Sequence, residues 1–310
     1  MWGDFFTGTP EVVSSYSTTP ISISTYCMVV YCFFSSLSNR AIFVSSSSMY
    51  NVLVEQCVFS KINHQGINGG AIYFSCTNQG GFVLKGSCGY ETSAGANSNG
   101  IFLFSATSSS GINKVLFSTV AYSIDPTINC LGPIWLDYGK QNCQNVNVSY
   151  CLAYKITGIA FKNSNNGVSS FLTVVHTYTP FWNVLWFAFS GTTTIEDSNI
   201  VNNTQNDLSY GLMHSYSAAG ICKRFIFVNN SLFYFSINGG GSGSLLDSYF
   251  DIAPNQNNGV LISNILPIRP TYCIEHIITA MCEGNIINTL YKTKFSSKLL
   301  LVLNILGIEP

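Results

Sequence analysis

Charge is what this 310-residue chain has least of: 9% of residues are charged and the net charge is −1. No face can then be strongly basic, which argues against nucleic-acid binding driven by phosphate neutralisation. No apolar run reaches the 18 or so residues of a membrane span, so no transmembrane segment is expected. The start, Met1-Trp2-Gly3-Asp4-Phe5, lacks the basic region of a secretory leader. Cys-x-x-Cys and His-x-x-x-His spacings are absent, so no metal site is expected. Asn238-Gly239-Gly240-Gly241 lacks the Gly-Lys-Ser/Thr of a phosphate loop and reads as a flexible turn. No cofactor is expected. Long runs of 3.6-residue period are scarce, which disfavours a helical fold.

What the chain does have is repetition. Leu53, Glu55, Cys57, Phe59 is followed by Leu84, Gly86, Cys88, Tyr90 and by Leu116, Ser118, Val120, Tyr122. The positions equivalent to Cys57 read 27, 57, 88, 120, 151, 176, 198, 231 and 248. A second series of short apolar strands, most opened by glycine, lies between these copies. It runs through Gly70–Phe74, Gly100–Phe104, Gly132–Leu136, Gly158–Phe161, Val184–Phe187, Gly211–Met213 and Gly259–Ile262. The alternation and the Val, Ile, Phe and Tyr content suit strands. The Ser-, Asn- and Gly-rich segments between them suit turns.

A fixed period of this size marks a repeat architecture. Two strands per unit are too few for a propeller blade. The expected fold is all-β: a right-handed parallel β-helix of about nine rungs, standing roughly 40 Å tall. Residues 1–19 form an N-terminal cap or partial rung, 20–265 the solenoid, and 266–310 a C-terminal cap or tail. The apolar tail Leu299–Ile308 suits a helical cap over an open end.

The 11 cysteines are an odd number, so at least one thiol is unpaired within a monomer. Cys57 and Cys88 are expected to be small buried residues facing inward, tolerant of valine because Val120 shares their series. Cys273 and Cys282, flanking His276, are candidates for a small loop disulfide. His176 falls in the cysteine series and reads as a core or boundary imidazole. Three glycosylation sequons begin at Asn147, Asn202 and Asn229. Trp135, Trp182 and Trp186 make a sugar-stacking platform if exposed, and ordinary packing if not. The segments Asn63–Gly70, Thr92–Gly100 and Asn202–Asp207 read as polar loops suited to weak contact.

Asn68-Gly69-Gly70-Ala71-Ile72-Tyr73 resembles the Gly-Gly-Ala-Ile motif of polymorphic outer-membrane-protein repeats, and Phe227-Val228-Asn229-Asn230 resembles their Phe-x-x-Asn motif. The resemblance covers about residues 20–263. It implies a pectin-lyase-like β-helix and a non-enzymatic surface or adhesion protein, located at the cell surface or outside the cell. The implied partners are glycans or cell-surface proteins. Two other readings stand beside it: an intracellular structural fragment of the same family, and a polysaccharide lyase or hydrolase. A hydrolase needs two carboxylates across a cleft. Only Asp197 and Asp247, each directly preceding a serine of the series, suggest such a pair, and no catalytic residue is assigned.

Overall fold

The computed structural model describes residues 1–268 except 15, 18, 22, 126–128, 190, 207–209, 231–234 and 255–258. The expected Leu299–Ile308 cap and the Cys273–Cys282 loop lie outside the described residues. The chain winds into a right-handed parallel β-solenoid of about eight full turns. Each coil contributes three principal strands. The first side runs through Tyr26–Val30, Asn51–Glu55, Gly81–Lys85, Ile112–Leu116 and their successors. The second side runs through Phe33–Ser35, Val58–Ser60, Cys88–Tyr90 and Thr119–Ala121. The third side is a separate eight-stranded sheet, from Ile42–Ser46 to Phe235–Asn238. A short fourth row, Ile124–Asp125 to Thr204–Gln205, lies after the second side.

Register along the first side is Val29, Val54, Leu84, Val115, then Ser169, Ile195, Cys222, Leu245 and Ile262, with Cys143 joining Val115 to the later rungs. The expected stack of Leu53, Leu84 and Leu116 is therefore one residue out. Leu53 pairs with Val83, and Leu84 with Val115.

The slip has a physical cause. Between first and second sides sits a single residue at positive φ: Tyr31, Gln56, Gly86, Phe117, Asn145, Phe171, Asp197, Arg224 and Asp247, all between 50° and 58°. Five residues later a second such bend follows, at Ser36, Lys61, Glu91, Tyr122, Tyr150, His176, Asn202 and Asn229. Each bend shifts the alternation by one, so inward residues run Val52, Val54, Cys57, Phe59, Ile62, and every one of them is buried. The series Leu53, Glu55, Cys57, Phe59 mixes two outward residues with two inward ones. A non-glycine residue in this region costs about 1–2 kcal/mol. The chain accepts it at nearly every bend because the core beyond is a continuous column of apolar side chains. Burying each Phe, Leu or Val there is worth about 1.5–3 kcal/mol. Phe34 on Phe59 and Phe227 on Phe250 stack along this column at 5.0 and 4.8 Å.

Just after the first bend, at five rungs, a backbone N–H is accepted by a small side chain on the next rung. The N–H of Cys32 meets the Cys57 thiol at 3.4 Å, that of Cys57 the Ser87 hydroxyl at 3.1 Å, and that of Ser87 the Ser118 hydroxyl at 3.2 Å. Leu172 to Ser198 and Phe225 to Ser248 repeat it. Serine and cysteine recur here because the position needs a compact acceptor. The row is Cys32, Cys57, Ser87, Ser118, Val146, Leu172, Ser198, Phe225 and Ser248.

Cysteines 27, 143, 151 and 222 are buried free thiols at other inward positions. Cys88 does not share the Cys57 row. It pairs with Val58 and Thr119, is half-buried against Phe33 and Val58, and is not among the free thiols. Val120 lies in the row of Phe59 and Gly89, two residues beyond the row of Cys57. After the second bend the inward row starts apolar at Leu37 and Ile62 and later carries polar residues that hydrogen-bond along the axis, with Thr92 to Ser123 at 2.6 Å, Thr177 to Asn203 at 2.8 Å and Asn203 to Asn230 at 3.1 Å.

Residues 11–13 form a partial coil that pairs with Cys27–Val29. Trp2 and Phe6 instead fold over the outside of the first side, covering Met28, Leu53 and Val83. At the far end Leu261–Ser263 joins the first side rather than the glycine-led series, and the last third-side strand among the described residues is Phe235–Asn238, from the coil that begins at Ala219. The segments 63–70 and 92–100 are stacked turns. Asn63 bridges Ser93, Gly69 N–H reaches Asn99 O at 3.0 Å, and Asn99 donates to Asn68 Oδ1 at 2.9 Å.

Candidate functional site

The outward positions of the third side are Phe43, Tyr73, Phe104, Trp135, Ala160, Trp186, His214 and Ser236. Strand alternation puts them there, because Ile72, Phe74, Leu103 and Ile134 between them face the core. Phe43, Tyr73 and Phe104 stack on one another at 5.2 and 5.1 Å with nearly parallel planes. The Arg40 guanidinium lies 4.9 Å from the Tyr73 ring centre. Stacked rings spend their faces on each other and leave edges outward.

Beyond Phe104 the ladder loses its regularity. Ala160 has no ring, and Trp135 and Trp186 lean together over it at 5.2 Å, tilted by 42°. Trp182 joins Trp186 at 6.2 Å and Tyr210 at 5.7 Å. All three tryptophans singled out in the sequence thus meet on one outer face. Trp135 and Trp186 are nearly buried, and Trp182 is partly open. A cleft of about 260 Å³ opens here. Its floor is Trp186 and His214, its walls are Trp182 and Tyr210, and its rim is Phe189, Tyr216 and Asn238. Tyr210, His214 and Tyr216 were not legible as site residues. They lie far from Trp182 in sequence, and His214 sits between two buried residues, Met213 and Ser215.

His214 is 3% exposed, and its Nδ1 shares a hydrogen bond with Ser236 Oγ at 2.6 Å. Burial pushes its pKa down to about 4. The unfolded imidazole titrates near 6.5. Between those values the unfolded chain binds a proton that the folded chain refuses, so stability falls as pH drops from about 6.5 towards 4. The full loss is on the order of 3 kcal/mol. Urea unfolding at pH 7 and pH 5 should show a larger fall in midpoint for the wild type than for His214→Gln. Equal falls would refute the assignment.

The other candidate residues are dispersed. His176 is an exposed bend residue, not a core imidazole: the second bend turns it outward, where it stacks on Tyr150 at 4.9 Å, and Tyr150 stacks on Tyr122 at 5.0 Å. Asp197, Arg224 and Asp247 are successive residues of the first bend row. Arg224 forks onto Asp197 at 2.6 and 2.8 Å and reaches Glu196 at 2.8 Å. The Arg224 hydrogen bond holds the Glu196 carboxyl below its usual value, and its two acidic partners raise the pKa of Arg224 in turn. Asp247 accepts from Asn264 at 2.8 Å. The two aspartates are separated by two rungs, with an arginine between them. Among the described residues no group of three or more His, Cys, Asp or Glu side chains could hold a metal ion. Of the sequon asparagines, Asn147 is buried and Asn229 is exposed, donating to Asn202 at 2.7 Å. No helix among the described residues is long and apolar enough to cross a membrane.

No family model, no curated protein and no solved structure matches the chain.

Proposed function

We propose that this chain is a non-enzymatic surface or adhesion-type β-helix, related to polymorphic outer-membrane-protein-like, pectin-lyase-like proteins, that binds glycans or cell-surface proteins by weak repeated contact. The observation that carries the reading is the set of outward rows, in which mostly neutral side chains recur at the rung spacing. Tyr122, Tyr150, His176, Asn202 and Asn229 form one such row, linked ring to ring from Tyr122 to His176 and by the hydrogen bond that the Asn229 amide donates to Asn202. A partner with its own repeat can engage several rungs together, and linked weak contacts multiply into avidity without any one being strong.

The charged groups support the same reading. Asp197 is committed to Arg224, which stands where a hydrolase pair would need room for water. Purified protein should bind intact cells or immobilised glycans and release no product from pectin or polygalacturonate, with or without calcium. Product formation abolished by Asp197→Asn or Asp247→Asn would overturn the proposal in favour of a polysaccharide lyase or hydrolase.

A further inference from the structure

We propose that the cleft formed by Trp182, Trp186, Tyr210, His214 and Tyr216 binds a single neutral glycosyl unit. The inference rests on the binding-module reading and gives that module one defined site.

Size comes first. At about 260 Å³ the cleft lies just below the roughly 300–1,000 Å³ of drug-sized pockets, which suits one saturated ring and little more.

Ring geometry comes second. Along Phe43, Tyr73 and Phe104 the aromatic faces are closed by stacking. In the cleft they are not arranged that way. Trp182 and Trp186 meet at 46°, Tyr210 stands edge-on to His214 at 84°, and Phe189 is edge-on to Tyr216 at 70°. Rings set at such angles wall a hollow rather than fill a column. The C–H face of a pyranose packs on an aromatic face, whose negative quadrupole favours the slightly positive hydrogens.

Charge comes third, and it selects among ligands. Among the described residues no Asp, Glu, Lys or Arg lines the cleft. His214 is neutral near pH 7. An anionic ligand would be desolvated among neutral lining groups, with the Lys155 ammonium already held over the Trp182 ring. A quaternary ammonium would have the aromatic walls but no carboxylate in the lining, and the Lys155 ammonium already stands over Trp182, 4.6 Å from its ring centre. A neutral polyol has neither problem. Its hydroxyls match the neutral polar groups present: the Asn238 amide, the Tyr210 and Tyr216 phenols and the imidazole. Ser236 occupies Nδ1 of His214, which leaves Nε2 as the ring atom available to a ligand.

The test is a titration of the full chain, followed by tryptophan fluorescence and calorimetry. The ligands are mono- and trisaccharides of glucose, galactose, mannose and N-acetylglucosamine, with choline and glucuronate as charged comparators. At least one neutral saccharide should bind. Trp182→Ala and Tyr216→Ala should each weaken it tenfold or more, while Phe117→Ala, on an exposed bend away from the cleft, should not. Tyr216 is on the rim, so its truncation carries the test if Trp182→Ala does not fold. Three results would overturn the inference: no neutral saccharide binds, saccharide affinity is unchanged in both cleft variants, or choline binds the cleft more tightly than any saccharide. Saccharide or cell binding that survives both cleft variants would sink the cleft alone. Loss of all glycan and cell-surface binding by the wild type would sink the module with it.

Discussion

Cys57→Asp is expected to yield no folded protein, whereas Cys57→Ser should stay within about 1 kcal/mol of wild type in urea unfolding. Cys57 is 1% exposed, and its thiol pKa is raised, chiefly by burial. A carboxylate there would have no cation, and an unpaired buried charge costs several kcal/mol against a total stability of about 5–15 kcal/mol. Serine occupies the same row at 87, 118, 198 and 248. Its hydroxyl donates to the carbonyl two residues back, as Ser118 does to Leu116 at 2.8 Å, and accepts the N–H from the preceding rung. Valine fills the space but leaves the Cys32 N–H without its acceptor, so Cys57→Val should be less stable than Cys57→Ser. A wild-type urea midpoint for Cys57→Asp would show that the position is not interior. Rapid labelling of native Cys57 by a bulky thiol reagent would show the same.

Gly70→Ala should cost about 3 kcal/mol or more, at the upper end for an added methyl group. A Cβ on Gly70 would run into the carbonyl oxygens of Ile101 and Ser93, both backbone atoms of the next rung. Neither can rotate away as a side chain can. Relief requires the rungs to part, which strains the bonds from Gly70 N–H to Gly100 O at 3.2 Å and from Ala71 N–H to Phe102 O at 3.1 Å. Gly69 differs, because it adopts φ of +62°, where glycine is favoured. Ala71 and Ile72 are fully buried. The Gly-Gly-Ala-Ile motif is thus accounted for residue by residue: a left-handed turn, a close approach of backbones, and two core positions. Thermal denaturation of Gly70→Ala with an unchanged midpoint would refute the close approach.

The fold class was legible because stacking in parallel imposes a period, and the period survives large changes of side chain. Register was not legible. The bend that resets the alternation is occupied by Tyr31, Gln56, Phe117 and Lys61 as readily as by Asn145 or Asn202, so composition leaves no mark of it. Reading Leu53 to Phe59 as one strand therefore joined two faces. The same slip placed His176 among the cysteines and Val120 beside Cys57. The tryptophans were visible as candidates. Their convergence was not, because it depends on how Trp182 and Tyr210, from separate turns, lean over outward positions of the third side. Asp197 and Asp247, read as a pair from their places before Ser198 and Ser248, share a bend row but stand two rungs apart. That Arg224 stands between them follows only from the true coil length.

The bends have one more consequence. The side chain at a bend points away from the core, and its backbone shape is set by the rungs above and below. Down a single edge of the solenoid the residues are Tyr31, Gln56, Gly86, Phe117, Asn145, Phe171, Asp197, Arg224 and Asp247. Aromatic, amide, glycine, acid and base succeed one another there on almost identical φ angles. Such an edge separates chemical character from architecture, so a lineage can rewrite what this margin displays, one coil at a time, without renegotiating how the coils are held.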